Sequence, residues 1–367
     1  MTIVFSLLLF LHAIIHAVGF SKAYGFRDFE TISNTITRQQ GIIWASCTLL
    51  FALAASGNLL NKKWWPVFAL LGVALSQALV FINWSNAGWG TVINLLITIV
   101  AIVHIADFRF QHNSREEAKG LLAKEPLRFN GKLTTDSIKE LPASIQHWLQ
   151  CSGAIGKLPA KMVRLKQKGK MKTDPAGTWM PFNATQYITS TEPGYIWNVK
   201  VRWQPMIFLT GRDKLDNGEG AMQMKLLSLW NMADVSDNEE INSGSLVRWL
   251  AEICWSPAMA VSHAIKWQAI DSATAQAIVT AGSARISGIF YFNTNGDVTK
   301  FTARRYKSGK GPSSLETWQV DMLGYKTFHG IRIPNRCRVT WKLSNGDFTW
   351  LELEITDIDY NNPELYK

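Results

Sequence analysis

The chain has few cysteines, none of them clustered, and its first third carries almost no charge. Cys47, Cys151, Cys254 and Cys337 are scattered over 367 residues with no CxxC pair, which excludes a zinc ribbon or a dense disulfide framework and leaves buried free thiols, Cys47 and Cys254 above all, as the expectation. No GxSxG, HExxH, P-loop or dinucleotide fingerprint is present. "DNGEGAMQ" and "SGKGPSS" are glycine turns without the remaining motif residues. No Lys or Arg precedes the first apolar run and no small-x-small site follows it, so the N-terminus reads as a retained membrane helix rather than a signal peptide. Up to residue 110 there are six basic and three acidic residues, against 32 and 25 in the remainder. An apolar anchor followed by a domain of ordinary soluble charge density is the implied organisation.

Four runs, 3–20, 41–60, 64–82 and 90–107, have the length and apolarity of membrane spans. "NKKW" joins the second and third as a tight helical hairpin, and Trp64, Trp65, Trp84 and Trp89 stand at loop ends, where indoles favour the membrane interface. Ser46, Asn58, Ser76, Gln77 and Asn94 within the runs read as interhelical hydrogen-bond partners. Lys62, Lys63, Arg109, Arg115 and Lys119 flank one side, and Lys22, Arg27 and Arg38 the other. Positive charge favours the first side as cytoplasmic, with both termini and the large domain inside.

"FLHAIIHAVGF" places His12 and His16 one helical turn apart within the first run. Two histidines on one helix cannot ligate opposite faces of one haem. The spacing suits zinc, but the glutamate of HExxH is missing. A third ligand from His104 would have to bridge depths differing by roughly 6 Å from His12 and 12 Å from His16, at about 1.5 Å rise per residue. No metal or other cofactor is therefore expected, and the pair reads as helix packing or a ligand-facing polar patch.

The soluble part begins with a polar stretch, 110–141, read as a linker with a short helix. In "LPASIQHWLQCSGAIG" Ile145, Trp148 and Leu149 form one apolar helix face stopped by Gly153. From 161 the pattern turns to period two, predicting strands at 161–173, 178–190, 194–203, 206–215, 219–227, 264–270, 284–293, 297–306, 315–323, 335–343 and 347–358, with Asn-Gly hairpins in "FNTNGDV" and "LSNGDF". Between the two groups, residues 244–263 read as a helix broken at Pro257, with Leu246, Trp249, Leu250 and Ile253 on one face. One apolar helix in the middle of a long antiparallel sheet predicts a curved sheet wrapped around that helix, with an apolar cavity beside it. Eleven of the sixteen tryptophans fall here, suited to filling such a core or lining a lipid pocket.

In "RLKQKGKMK" five cations, Arg164, Lys166, Lys168, Lys170 and Lys172, alternate with other residues and share one strand face. A solvated or edge strand explains them; contact with anionic lipid head groups is the functional alternative. No nucleic-acid motif accompanies the stripe. Arg248 and Glu252 stand at i, i+4 on the central helix, ordinarily a surface ion pair. Enclosed by the sheet, they become a polar pair at a cavity mouth. With Trp255 and Trp203 they form the candidate ligand site, to which an enzymatic reading adds His263.

"WMPFNATQY" (179–187), "RWLAEICWSP" (248–257) and "GIRIPNRCRVTW" with "SNGDF" resemble the signatures of an uncharacterised bacterial membrane-protein family, a domain of unknown function. "HAVGFSKAYGF", "KKWW" and "LSQALVFINWSNAGWGTVINLL" resemble its longer members. The resemblance implies a four-span anchor plus the β domain, and assigns no reaction. The inferred sheet also resembles, by analogy of fold, the half-barrel of lipoprotein carriers. Such carriers work outside the cytoplasm, whereas the charge count places this domain inside, and the charge-based orientation is kept.

The expectation is an α+β chain in a bacterial inner membrane. A four-helix transmembrane bundle (1–109) is followed by the linker (110–141) and a half-barrel-like antiparallel sheet wrapped on a central helix (142–367). Its soluble domain binds a lipid or other hydrophobic ligand, with membrane lipids as partners and no nucleic acid. The alternatives are a membrane-bound enzyme on a lipid-like substrate and a structural or partner-binding membrane component.

Overall fold

The computed structural model describes residues 2–26, 36–126, 131–309 and 311–366. Arg27, one of the cations in the orientation count, and residues 127–130 of the expected linker lie outside them. The chain forms two compact units, Met1–Arg109 and Phe110–Lys367.

The first unit contains α1 (Thr2–Ala23), α2 (Arg38–Leu59), α3 (Trp65–Ile82), the short α4 (Trp84–Ala87) and the beginning of α5 (Gly90–Ala123). α1, α2, α3 and α5 are long and apolar enough to cross a membrane. A reciprocal Thr37–Gln40 capping box starts α2, satisfying two otherwise orphaned backbone donors. The core is Leu9, Cys47, Phe51, Ala54, Trp65, Leu79 and Ile97, while Ile3, Leu11, Ile14, Leu49, Leu71, Phe81 and Ile99 point outward. Helices apolar on both faces need an apolar surround. Gly72 lets α2 and α3 close up, since a Cβ there would lie 3.0 Å from the Phe51 ring.

His12 Nε2 donates to Asn94 Oδ1 at 3.1 Å, and His16 Nε2 and Ser76 Oγ share a hydrogen bond of 3.0 Å. Asn94 also meets Ser76 Oγ at 3.1 Å and donates to Gln77 Oε1 at 3.0 Å. The network ties α1, α3 and α5 together through buried polar side chains. His104 packs beside Trp65, ring centroids 5.0 Å apart.

In the second unit α5 continues to Ala123, within the stretch expected to be a linker with a short helix. Its polar stretch is supported by the i, i+3 pair Glu116–Lys119, and Ala118, Leu121 and Leu122 are buried against Met162, Tyr187 and Ile196. A helical turn at Asp136–Ile138 and α6 (Ala143–Cys151) follow. α6 buries Ile145, Trp148 and Leu149, and Gly153 ends it at a φ of 75°, a left-handed position where glycine carries no steric penalty.

Thirteen strands form one sheet: β1 (Met162–Met171), β2 (Met180–Thr189), β3 (Gly194–Gln204), β4 (Ile207–Asp216), β5 (Glu219–Leu226), β6 (Trp230–Ser236), β7 (Ile265–Ala269), β8 (Thr274–Ala281), β9 (Ala284–Phe292), β10 (Val298–Gly309), β11 (Gly311–Phe328), β12 (Ile331–Leu343) and β13 (Gly346–Tyr360). Their spatial order is β6-β5-β4-β3-β2-β1-β13-β12-β11-β10-β9-β8-β7, a curled antiparallel half-barrel. Both halves are meanders that meet where β1 pairs β13. β6 and β8 fall outside the expected strands. β6 is an exposed edge lacking clean alternation, and the alanine-rich β8 hides its period because alanine has little β preference.

This order dictates the central helix. β6 and β7 are the two edges of the sheet yet follow one another in sequence, so the segment between them has to cross the concave face. α7 (Glu239–Glu252), capped by Asn238 accepting from the Ile241 amide at 2.9 Å, does so, followed by 3-10 turns at Ile253–Trp255 and Pro257–Val261. The break at Ser256 is the one Pro257 requires. α7 packs on strands of both halves, among them β4, β5, β9 and β10. At one end the halves nearly touch: a Cβ on Gly218, between β4 and β5, would lie 2.7 Å from the Gly282 nitrogen between β8 and β9. Gly218 has a φ of 79° as well, so glycine is required there twice over.

Candidate functional site

Arg248 and Glu252 lie on the face of α7 turned toward β2, β3 and β4. Arg248 Nε donates to Glu252 Oε1 at 2.8 Å and its Nη1 to Asp213 Oδ2 at 2.6 Å. The guanidinium stacks 4.6 Å from the Trp197 ring and 4.9 Å from Tyr195. Gln186 donates to the other Glu252 oxygen, and Trp197 Nε1 donates to Gln167 Oε1 at 2.7 Å. Gln186, Trp197 and Asp213 are register partners across β2, β3 and β4, so the sheet presents a polar row directly beneath the helix. Arg305 packs beside Gly244 of α7, 3.3 Å from where a Cβ would stand, and stacks on Trp318 at 4.9 Å.

Burial sets the electrostatics here. It pushes the Glu252 carboxyl above its ordinary value against the pull of Arg248, and the Tyr195 phenol up to about 12. It also works against charge on Arg248, but Glu252, Tyr195 and Asp213 outweigh it and hold the guanidinium above its usual value. For Arg305 burial dominates and lowers it. Arg248 is thus a firmly charged hub whose donors are engaged by two carboxylates and an amide. Such an arrangement fixes α7 onto the sheet, because removing one partner leaves another buried and unpaired.

Of the residues expected to form the ligand site, Arg248 and Glu252 come together. Trp255 is buried in the turn after α7, its carbonyl accepting from Tyr360 Oη at 2.9 Å. Trp203 is 47% exposed at a bulge in β3, about 20 Å from Trp197 at ~3.3 Å per residue. His263 is exposed on the approach to β7. A cleft of about 260 Å³ opens instead near Leu121, Glu125, Glu192 and Asp216, and none of the four expected ligand residues lines it.

The five-cation strand is central, not an edge. Its side chains meet carboxylates of β13: Arg164–Asp359 at 2.8 Å, Lys168–Glu354 at 3.2 Å and Lys170–Glu352 at 3.0 Å. Lys166 lies 4.4 Å from the Tyr366 ring, and Lys172 donates to the Pro175 carbonyl at 2.9 Å. Cys47, Cys254 and Cys337 are buried free thiols, and Cys151 is exposed.

Gln167, Gln186, Asp213 and Arg305 escaped the sequence reading, although a signal exists. Each occupies the inward parity of its strand, Gln186 between Ala184 and Ile188 and Arg305 two residues after the buried Ala303.

These features define a class: an antiparallel half-barrel carrying its own covering helix, preceded by four helices apolar enough for a bilayer. The chain belongs to a family of unknown function, DUF6544, whose model matches residues 131–353. No curated protein matches it. Among solved structures, it is similar to a LolA superfamily protein, NE2245, from Nitrosomonas europaea. The identity is 10% and the TM-score 0.33, over 59% of this chain and 94% of that one. It is also similar to a DUF1329 family protein from Desulfovibrio piger, at 7% identity and a TM-score of 0.34, over 60% and 92%. At such scores the likeness extends to neither chemistry nor ligand.

Proposed function

We propose that the half-barrel binds a lipid or other hydrophobic ligand on its concave face beside α7. Four membrane-spanning helices would hold it at a bacterial inner membrane with the β domain on the cytoplasmic side. The observation that supports this most is the crossing segment itself. One stretch, Glu239–Val261, covers the concave face with Leu246, Trp249, Leu250, Ile253, Trp255 and Met259. With α6, whose Trp148 ring lies 6.3 Å from Phe290, it covers an apolar sheet face; it is held in register by the Arg248 hydrogen bonds, and an acyl chain beside it replaces one apolar contact by another. Apolar surface with a few convergent polar groups is the usual composition of such sites.

A photoactivatable fatty acid or phospholipid, irradiated with the full chain in lipid nanodiscs, tests this by peptide mapping of the adducts. Adducts within 239–261 and the facing strands are expected. Adducts confined to residues 2–107, with no lipid retained on the β domain by native mass spectrometry, overturn the reading. A reporter fused after residue 367 tests the orientation, which fails if the reporter is active only outside the cytoplasm.

A further inference from the structure

Hairpin turns are ordinarily built from polar residues and glycine. Two neighbouring tips of this sheet are not. "WQPMIFL" (203–209) turns β3 into β4, and "LLSLWNM" (226–232) turns β5 into β6; neither contains a charged residue. They are adjacent, because Leu209 pairs with Leu226 and the Leu227 amide donates to the Phe208 carbonyl at 2.9 Å. Trp203, Met206, Trp230 and Met232 are 47, 62, 58 and 59% exposed, and Ile207 is exposed beside them. Met206 holds a φ of 69°, an uncommon conformation for a side-chain-bearing residue, and it stands at the apex.

Along these two hairpins, behind the tips, the charge is of one sign. Lys200 and Arg202 lie on β3 and Lys225 on β5, with Lys200 Nζ 3.9 Å from the Phe208 ring. No carboxylate occurs from 200 to 212 or from 220 to 233. We propose that the paired β3–β4 and β5–β6 tips dock into the surface of an anionic bilayer. Trp203, Met206, Ile207, Trp230 and Met232 enter the acyl boundary, and Lys200, Arg202 and Lys225 meet lipid phosphates. Tryptophan is enriched at that boundary, and a basic collar behind an apolar tip matches the charge of an anionic leaflet. A second copy is the poorer occupant, because a two-fold contact would bring the collars of both copies together. This docking is independent of the ligand on the concave face, since the tips and α7 are separate surfaces.

The test uses the full chain in vesicles of phosphatidylcholine with or without phosphatidylglycerol. Cys151→Ser leaves only buried native thiols, and Met206→Cys carries an environment-sensitive fluorophore. Glu219→Cys, exposed at the opposite end of the same strands, is the reference. Blue-shifted emission and quenching by spin-labelled lipid are expected at position 206 and not at 219. Both should require phosphatidylglycerol and be lost when Lys200, Arg202 and Lys225 are all replaced by Gln. Equal, water-like emission at the two positions overturns the proposal. So does crosslinking between two copies through position 206 without lipid quenching.

Discussion

Arg248 on α7 and Asp213 on β4 stand 2.6 Å apart, nitrogen to oxygen, and this contact joins the covering helix to the sheet. Glu252 takes a second face of the same guanidinium at 2.8 Å. The cation therefore neutralises two carboxylates at the edge of a core that includes Trp249, Leu250, Val199 and Leu215.

Arg248→Met is expected to destabilise the β domain by about 3–5 kcal/mol, because Glu252 then stays buried, and Asp213 half-buried, without a counter-ion. Adding Glu252→Gln and Asp213→Asn should recover part of that loss. Denaturant unfolding followed by tryptophan fluorescence reads both. Equal stability of the single and triple variants would show that the cluster is hydrated rather than desolvated.

Of the β1–β13 pairs, Lys168–Glu354 is the exposed one and should be weak. A double-mutant cycle on Lys168 and Glu354, whose side chains are 57% and 39% exposed, is expected to give a coupling of about 0.2–1 kcal/mol that falls with added salt. The charge-swapped pair Lys168→Glu with Glu354→Lys should unfold close to the unaltered chain, and each reversal alone earlier.

Acid should unmake part of the same face. The Lys170 hydrogen bond holds the Glu352 carboxyl below its ordinary value, with Arg338 adding to it. At Asp359 burial pushes upward, but hydrogen bonds from Asn362 and Arg164 outweigh it and hold that carboxyl down too. A lowered carboxyl contributes stability that is present above its unfolded value of about 4 and is lost as pH falls through the lower folded value. Glu252, pushed up by burial, contributes the opposite slope between its unfolded and its raised folded value. Thermal unfolding between pH 7 and pH 3, about the range in which carboxylates titrate, should show the acid loss shrink in Lys170→Met and the opposing slope vanish in Glu252→Gln.

Asn94 is the hub of the helical unit, touching His12, Ser76 and Gln77. Asn94→Leu should cost about 1–2 kcal/mol in detergent unfolding, the range of interhelical hydrogen bonds in model systems. His12→Leu should be non-additive with it. Purified protein is expected to show no haem absorption and no stoichiometric metal, and a metal lost with His12→Leu would contradict the packing role.

Much of this architecture is legible in the residues. Alternation predicted β1 to β5 nearly to the residue, because one buried face imposes a period of two on neighbours along the chain. The acidic partner of the basic strand was also in plain view. "LELEITDIDY" alternates Glu352, Glu354, Asp357 and Asp359, and one bulge between Lys166 and Gln167 brings the two series into register. The stripe looked unpaired because its partners lie some 180 to 200 residues away in sequence. Likewise, Trp203 shares the parity of Tyr195 and Trp197, and only the bulge before Gln204 turns it out of the core.

The sequence by itself determined what depends on near neighbours: four bilayer-length apolar helices, a strand-rich remainder, one amphipathic helix between two groups of strands, and signatures of a known family. Hydrophobic period and run length encode these locally. Only the tertiary structure decided that the edges β6 and β7 are consecutive in sequence and so force α7 across the concave face. The same holds for Gln167, Gln186 and Asp213 converging on Arg248, and for two apolar tips lying side by side. Those outcomes rest on pairings between distant segments, which strand order and bulges set and no local pattern records.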